Sequence, residues 1–245
     1  SLRLGLMASA LLLAACSPSQ ESGDATAPAG PADTAGGERL VYVIEDVQPN
    51  PDVAHLRETY ERFWQHAGHC QTVLAVGGGS AIDTAKALIV GTESGRFDEL
   101  LGLLASGKPF VPARCKALIA APTTAGTGSE VTPWATIWDT AAQKKYSLHL
   151  ECTWPKVAII DPQLMLTVPA GVTVSTGLDA LSHALESIWN VNANPISDTF
   201  ALSAITDILE CLPLLLRDLS SQTLRTRMAL AALKAGMAFS NTKTA

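Results

Sequence analysis

The sequence has no basic cluster, no closely paired cysteines and no apolar run long enough to cross a bilayer as a helix. Its 245 residues carry 17 Lys and Arg against 23 Asp and Glu, a net charge of −6. Such a chain offers no electrostatic footprint for a phosphate backbone, which excludes nucleic acid as a partner. The five cysteines are scattered without a C-x-x-C pair, which argues against a disulfide scaffold and against a structural zinc site. Internal repeats are absent too. What the chain does have is apolar material, 47% of its residues. That is too much for disorder over most of its length, and enough for one large domain or two small ones.

The first forty residues stand apart. Leu4 to Ala15 is an uncharged, mostly apolar run of twelve residues preceded by Arg3. A spanning helix takes roughly 20 apolar residues, so the run fits the h-region of a secretory signal instead. It ends Leu13-Ala14-Ala15-Cys16, which resembles a bacterial lipobox in which Cys16 would be acylated and anchored. The alternative is an apolar leader joined by accident. Ser17 to Gly37 contains no Leu, Ile, Val or aromatic residue and has nothing to bury. Residues 1–37 are therefore expected to form a signal-like leader and a flexible tether.

From Leu40 the pattern becomes α/β. Leu40 to Ile44 reads as a strand. Asn50-Pro51 then supplies an N-cap and a first-turn proline. Val53, Leu56, Tyr60, Phe63 and Ala67 recur at helical spacing and form one apolar face. Thr72 to Val76 is a continuous apolar strand of the kind buried on both faces of a parallel sheet. Three glycines, Gly77 to Gly79, break it before a helix over Ser80 to Val90, with Ser80 and Asp83 at capping-box spacing. Ala117 to Ala121 is another buried-type strand. Val131 to Trp138 and Lys145 to Leu150 read as two strands around a turn, and Val157 to Ile160 as a last one. After Pro169 nearly everything reads as helix, with turns near Asn192 to Pro195 and at Ser220. The fold class is thus an α/β domain over 38–167 followed by an all-helical domain over 168–245.

Three constellations carry chemistry. In Val76-Gly77-Gly78-Gly79-Ser80 a strand runs through glycines into a helix, so backbone N–H groups and the positive end of a helix dipole meet at one point. A diphosphate could approach there more closely than any Cβ permits; a tight turn made by three glycines is the bland alternative. The second is Pro122-Thr123-Thr124-Ala125-Gly126-Thr127-Gly128-Ser129-Glu130, with four hydroxyls and two glycines at the end of a buried strand. It suits a ribose and phosphates if it is not simply a polar surface turn. The Rossmann G-x-G-x-x-G is missing, so a dinucleotide site here is of another design. Third, Asp179 and His183 stand four apart and share a helical face, as two metal ligands on one helix must. A carboxylate with an imidazole suits Fe, Zn or Mn better than Mg or Ca, although an ordinary solvated polar face has the same spacing.

The order Gly-Gly-Gly-Ser-x-x-Asp-x-x-Lys (Gly77 to Lys86), Thr-Thr-x-Gly-Thr-Gly-Ser-Glu (Thr123 to Glu130) and Asp-Ala-Leu-Ser-His (Asp179 to His183) resembles the iron-containing alcohol dehydrogenases. These share a fold with glycerol dehydrogenase and dehydroquinate synthase. The resemblance spans about Val41 to Ala245. It implies a nucleotide-binding α/β domain, a helical metal-binding domain and a cleft between them. Carried over by motif, Asn50, Gly78, Gly79 and Ser80 would touch the cofactor. Thr123, Thr124, Thr127 and Ser129 would line its ribose and phosphate side, and Lys145 would contact it too. Asp179 and His183 would be two of four metal ligands. The implied cofactors are NAD or NADP and a divalent metal, Fe foremost and Zn second. The implied chemistry is reversible hydride transfer with a small aldehyde or primary alcohol. Trp134-Ala135-Thr136-Ile137-Trp138-Asp139, Glu186 to Asn190 and Asn192 to Pro195 look most like the phosphonoacetaldehyde reductase branch. A homodimer is the family expectation, and the supply of free NAD(P)H favours the cytoplasm; the lipobox gives membrane anchoring through Cys16 as the alternative.

The chain departs from the family at both ends. The leader and tether stand where the family has its first strand and helix, with the acidic residue that holds the adenosine ribose. Ala238 to Ala245 resembles the stretch just before the family's third ligand, a histidine. The chain therefore reads as a fragment or fusion, expected to be inactive as written. Two other readings remain: a lipid-anchored nucleotide-binding protein without catalysis, and a dehydroquinate-synthase-like lyase holding NAD and zinc.

Overall fold

The structure, a computed structural model, describes residues 11–16 and 39–244; the expected tether lies outside them. A five-stranded sheet has the order β2-β1-β3-β6-β9, built from β1 (Leu11–Cys16), β2 (Arg39–Ile44), β3 (Thr72–Gly77), β6 (Ala117–Pro122) and β9 (Val157–Ala158). β3, β6 and β9 run parallel, while β1 is antiparallel to both of its neighbours. The apolar run expected to lie outside the globule thus contributes a strand to the interior of the sheet. A short apolar run satisfies a strand as well as an h-region, and periodicity does not separate the two.

Helices α1 (Val53–Ala67) and α2 (Gly79–Ile89) pack with the sheet, and α3 (Phe97–Ala105) packs on α1. The expected apolar face of α1 is buried, with Leu56, Tyr60 and Ala67 at 0% exposure. Two N-terminal readings are corrected. The cap of α1 is Asp52, whose side chain accepts from the Ala54 N–H; Asn50 instead takes a left-handed φ of 56°. α2 is capped by Gly78 with no side-chain hydrogen bond, because Ser80 and Asp83 are engaged elsewhere, as described below. β3 is also less buried than expected: Val73, Ala75 and Gly77 are buried and alternate with half-buried residues. Helix α3 was not foreseen, nor was the short pair β4 (Val90–Gly91) with β5 (Arg114–Cys115). Cys115 is disulfide-bonded to Cys152 across 37 residues. The cysteines therefore include one long-range tie rather than a scaffold.

The expected hairpin is β7 (Trp134–Asp139) with β8 (Lys144–His149), paired in register from Trp134↔His149 to Asp139↔Lys144. The helical part consists of α4 (Ala170–Trp189), α5 (Pro195–Leu215) and α6 (Gln222–Thr242). Its core is rich in small residues, including Ala180, Ala184, Ala201, Ala204, Ala231 and Ala235, which allow close helix approach. Asn194 caps α5 through a reciprocal capping box with Ser197. The halves meet tightly at Gly128, which has a φ of +64° and where an added Cβ would lie 2.7 Å from the Gly236 Cα on α6. Among the described residues no helix is long and apolar enough to cross a membrane.

Candidate active site

A cleft of about 380 Å³ opens between the β3–α2 junction, the β7–β8 hairpin and α4. Eight of the eleven residues singled out in the sequence line it: Asn50, Gly79, Ser80, Thr127, Ser129, Lys145, Asp179 and His183. The other three lie at the neighbouring strand ends. The Thr123 N–H donates to the Gly77 carbonyl at 2.9 Å, and the Thr124 hydroxyl lies 3.2 Å from where a Gly78 Cβ would be. Gly79 is needed for space, since a Cβ there would stand 2.6 Å from Thr127 Cγ2. Asn50 is fixed by its N–H, which donates to Ser80 Oγ at 3.0 Å.

Beneath this surface lies a buried network in which Asp83, read as part of a capping box, and Ser129, read as a cofactor contact, are joined by Lys86. The Lys86 ammonium, 0% exposed, donates to the Ser129 carbonyl (2.7 Å), Ser129 Oγ (2.8 Å) and the Trp134 carbonyl (2.7 Å). Ser129 Oγ donates in turn to Asp83 Oδ1 at 2.6 Å, and the Thr136 N–H donates to Asp83 Oδ2 at 3.0 Å. One ammonium and one carboxylate on α2 thereby tie the hydroxyl loop and the hairpin to the glycine junction. Burial lowers the Lys86 pKa to about 8 and raises those of Asp83 and Glu130. The available signal was an Asp and a Lys one turn apart on an otherwise apolar helix.

The α4 end of the cleft is aromatic. Trp134 stacks on His149, with centroids 4.9 Å apart and 10° between planes. Its other edge meets Phe239 at 5.9 Å, and Phe239 lies 4.6 Å from the His183 ring. Lys145 Nζ sits 3.9 Å over the Trp138 ring. Asp179 Oδ1 and His183 Nε2 are 3.8 Å apart, and both open into the cleft.

The iron-containing alcohol dehydrogenase family model matches residues 19–162, and the C-terminal model of the Fe-containing alcohol dehydrogenase family matches 173–245. The chain belongs to the iron-containing alcohol dehydrogenase family. The first match begins inside the segment read as a tether. The NAD-dependent methanol dehydrogenase of Bacillus methanolicus is 40% identical over 82% of this chain and 51% of its own length. The 1,3-propanediol dehydrogenase of Citrobacter freundii is 38% identical over 82% and 50%. A sulfoacetaldehyde reductase from Bifidobacterium kashiwanohense, solved with NAD+, superimposes with a TM-score of 0.71 at 35% identity, covering 80% of this chain and 50% of its own. The chain spans about half the length of the relatives it matches.

The family implies a metal, and the residues meet that requirement in part. Asp179 and His183 form one edge of a coordination shell, with a donor chemistry suited to Fe or Zn. A tetrahedral site takes four ligands; among the described residues no group of three or more His, Cys, Asp and Glu could hold a metal. His183 Nδ1 is buried without a hydrogen-bond partner, so no second contact fixes the ring's tautomer.

Proposed function

We propose that this chain carries the cofactor cleft of a metal-dependent, NAD(P)-linked alcohol dehydrogenase or aldehyde reductase. The reaction is hydride transfer between the nicotinamide and a small aldehyde or primary alcohol. One observation carries the reading: the glycine junction, the hydroxyl loop and the Asp179–His183 pair open into a single cleft. The N–H groups at Gly79 and Ser80 and the positive end of α2 receive the diphosphate. Thr127 offers its hydroxyl to the ribose and phosphates, with Thr123 and Thr124 behind it, and Ser129, its hydroxyl held between Lys86 and Asp83, shapes the wall they share. Asn50 and Lys145 close the cofactor side. Asp179 and His183 would hold the metal, which when bound would supply a Lewis acid for the carbonyl oxygen. Trp134 and Phe239 give that end of the cleft an aromatic wall.

Phosphonoacetaldehyde is the substrate we favour within this class. The Trp134-to-Asp139 segment and the likeness to a sulfoacetaldehyde reductase support it, since both compounds are small aldehydes bearing an anionic group. A hydride transfer fed by NAD(P)H belongs in the cytoplasm, and a homodimer is the expected assembly.

The test is NADH binding by fluorescence, followed by aldehyde-dependent NADH oxidation with Fe2+ or Zn2+ supplied. Saturable binding with turnover supports the reading, and net NADH consumption excludes the lyase alternative. Binding without turnover at any metal concentration would leave a nucleotide-binding protein, and absence of binding would overturn both.

A further inference from the structure

The Cys115–Cys152 disulfide belongs to a ring of contacts that runs back to the cleft. Cys115 lies on β5 and pairs with Val90 of β4, which follows directly from α2. Cys152 lies in the turn Glu151–Thr153 that follows β8. Its neighbour Thr153 is 0% exposed and donates its hydroxyl to the Pro133 carbonyl at 2.7 Å. Pro133 precedes Trp134, which stacks on His149 in the cleft wall and whose carbonyl accepts from Lys86 of α2 at 2.7 Å. The ring thus passes from α2 through β4, β5, the disulfide and the turn to the start of β7, and returns to α2 through Lys86. Hydrogen bonds and backbone make the other links; the disulfide closes the ring covalently across 37 residues. It is also open to solvent, since Cys115 is exposed and Cys152 half-buried, whereas Cys70 and Cys211 are buried.

We propose that Cys115 and Cys152 form a reversible thiol–disulfide switch, exchanged by small disulfides of the glutathione class, which stiffens the Trp134 wall of the cleft when closed. Exposed disulfides are the labile ones, and in a reducing compartment a disulfide is as a rule transient. Closure takes two exchanges. The Cys115 thiolate attacks one sulfur of oxidised glutathione, forming a mixed disulfide and releasing one glutathione thiolate. The Cys152 thiolate then attacks Cys115 Sγ, closing the protein disulfide and releasing the second. Two protein thiols give up two electrons and two protons, and one oxidised glutathione becomes two reduced ones. Cys115 reacts first because it is the more exposed, and Arg114 beside it suits an anionic disulfide, while Glu151 stands beside Cys152. Opening the bond leaves the turn held to β7 by the Thr153 hydrogen bond, so the Trp134–His149 end of the hairpin is the part set free. The exchange does not rest on the reaction proposed for the cleft.

The test equilibrates the unaltered chain in glutathione mixtures from fully reduced to fully oxidised, followed by thiol alkylation and peptide mass analysis. Cys115 and Cys152 should pass together and reversibly between alkylated and linked forms. The reduced form should melt roughly 5–10 °C lower. Its β7–β8 amides should exchange hydrogen about tenfold faster relative to those of α5 and α6. Cys152→Ser should trap the Cys115–glutathione mixed disulfide and keep the hairpin exchange of the reduced form in every mixture. A bond that stays closed in excess reduced glutathione, thiols that stay open in oxidised glutathione, or equal relative hairpin exchange in the two forms would each overturn the proposal. None of these readings uses the cofactor, so a failure of NADH binding would leave them standing.

Discussion

At its α2 end the cleft is lined by backbone and short hydroxyls held by the fully buried Lys86 ammonium and the Asp83 carboxylate. At its α4 end it is lined by Asp179 and His183 on one helix, with Asp179 45% exposed and His183 Nδ1 without a hydrogen-bond partner. The first end is assembled from three elements that Lys86 and Asp83 lock together. The second relies on helical spacing and on the Phe239 ring packed against His183. A site made of backbone donors comes complete with the fold, whereas a coordination site is only as good as the number of ligands that converge on it.

Substitutions can separate the two ends. The largest effect is expected from Lys86→Met, which strands Asp83 and three oxygen acceptors in the interior. Urea unfolding should show a loss of about 3–5 kcal/mol, with NADH binding weakened and the Asp179–His183 face little changed. Gly128→Ala attacks the joint between the ends. Its left-handed φ and the 2.7 Å approach to Gly236 should cost about 1–3 kcal/mol in the same experiment.

Next comes a reciprocal pair. Gly79→Ala pushes a methyl into Thr127 and should weaken NADH binding roughly tenfold, the scale of one lost charge-assisted hydrogen bond, while Zn2+ or Fe2+ binding holds. Asp179→Asn should do the reverse, lowering metal affinity by at least about tenfold with NADH affinity unchanged. If both variants impair both ligands, the two ends are not independent.

The smallest effect lies outside the cleft. Asp207 accepts from Lys234 Nζ at 2.8 Å and from Arg227 Nε at 3.0 Å. First the Lys234 hydrogen bond, then the Arg227 one, holds its carboxyl below the usual pKa. Its stabilisation is therefore complete above the unfolded carboxylate pKa and is lost as pH falls through the lower folded value. Asp207→Asn should flatten that acid limb of the stability curve by less than about 1 kcal/mol.

The lining of the cleft was legible in the sequence because its signals are local. Gly77 to Gly79 break a strand, four hydroxyls follow another, and Asp179 with His183 declare a shared face by spacing alone. What escaped was non-local or ambiguous. Phe239 meets Trp134 from 105 positions away, and Lys86 finds Ser129 across 43. Ser80 looks like a cap at that spacing, yet its hydroxyl is taken by the Asn50 N–H, a partner no local pattern reveals. Helix α3 escaped because its cap residue, Arg96, makes no side-chain cap hydrogen bond. Leu11–Cys16 escaped because strand and signal share one apolar signature.

That last segment sets a choice for the living cell. Lipobox processing would cut just ahead of Cys16, and residues Leu11 to Ala15 supply all but the last position of the strand lying between β2 and β3. Maturation of that kind would excise the strand that joins β2 to β3 and leave β3 with a row of unpaired backbone groups along that edge. Export and this architecture therefore draw on the same six residues, and a molecule that commits them to one fate gives up the other.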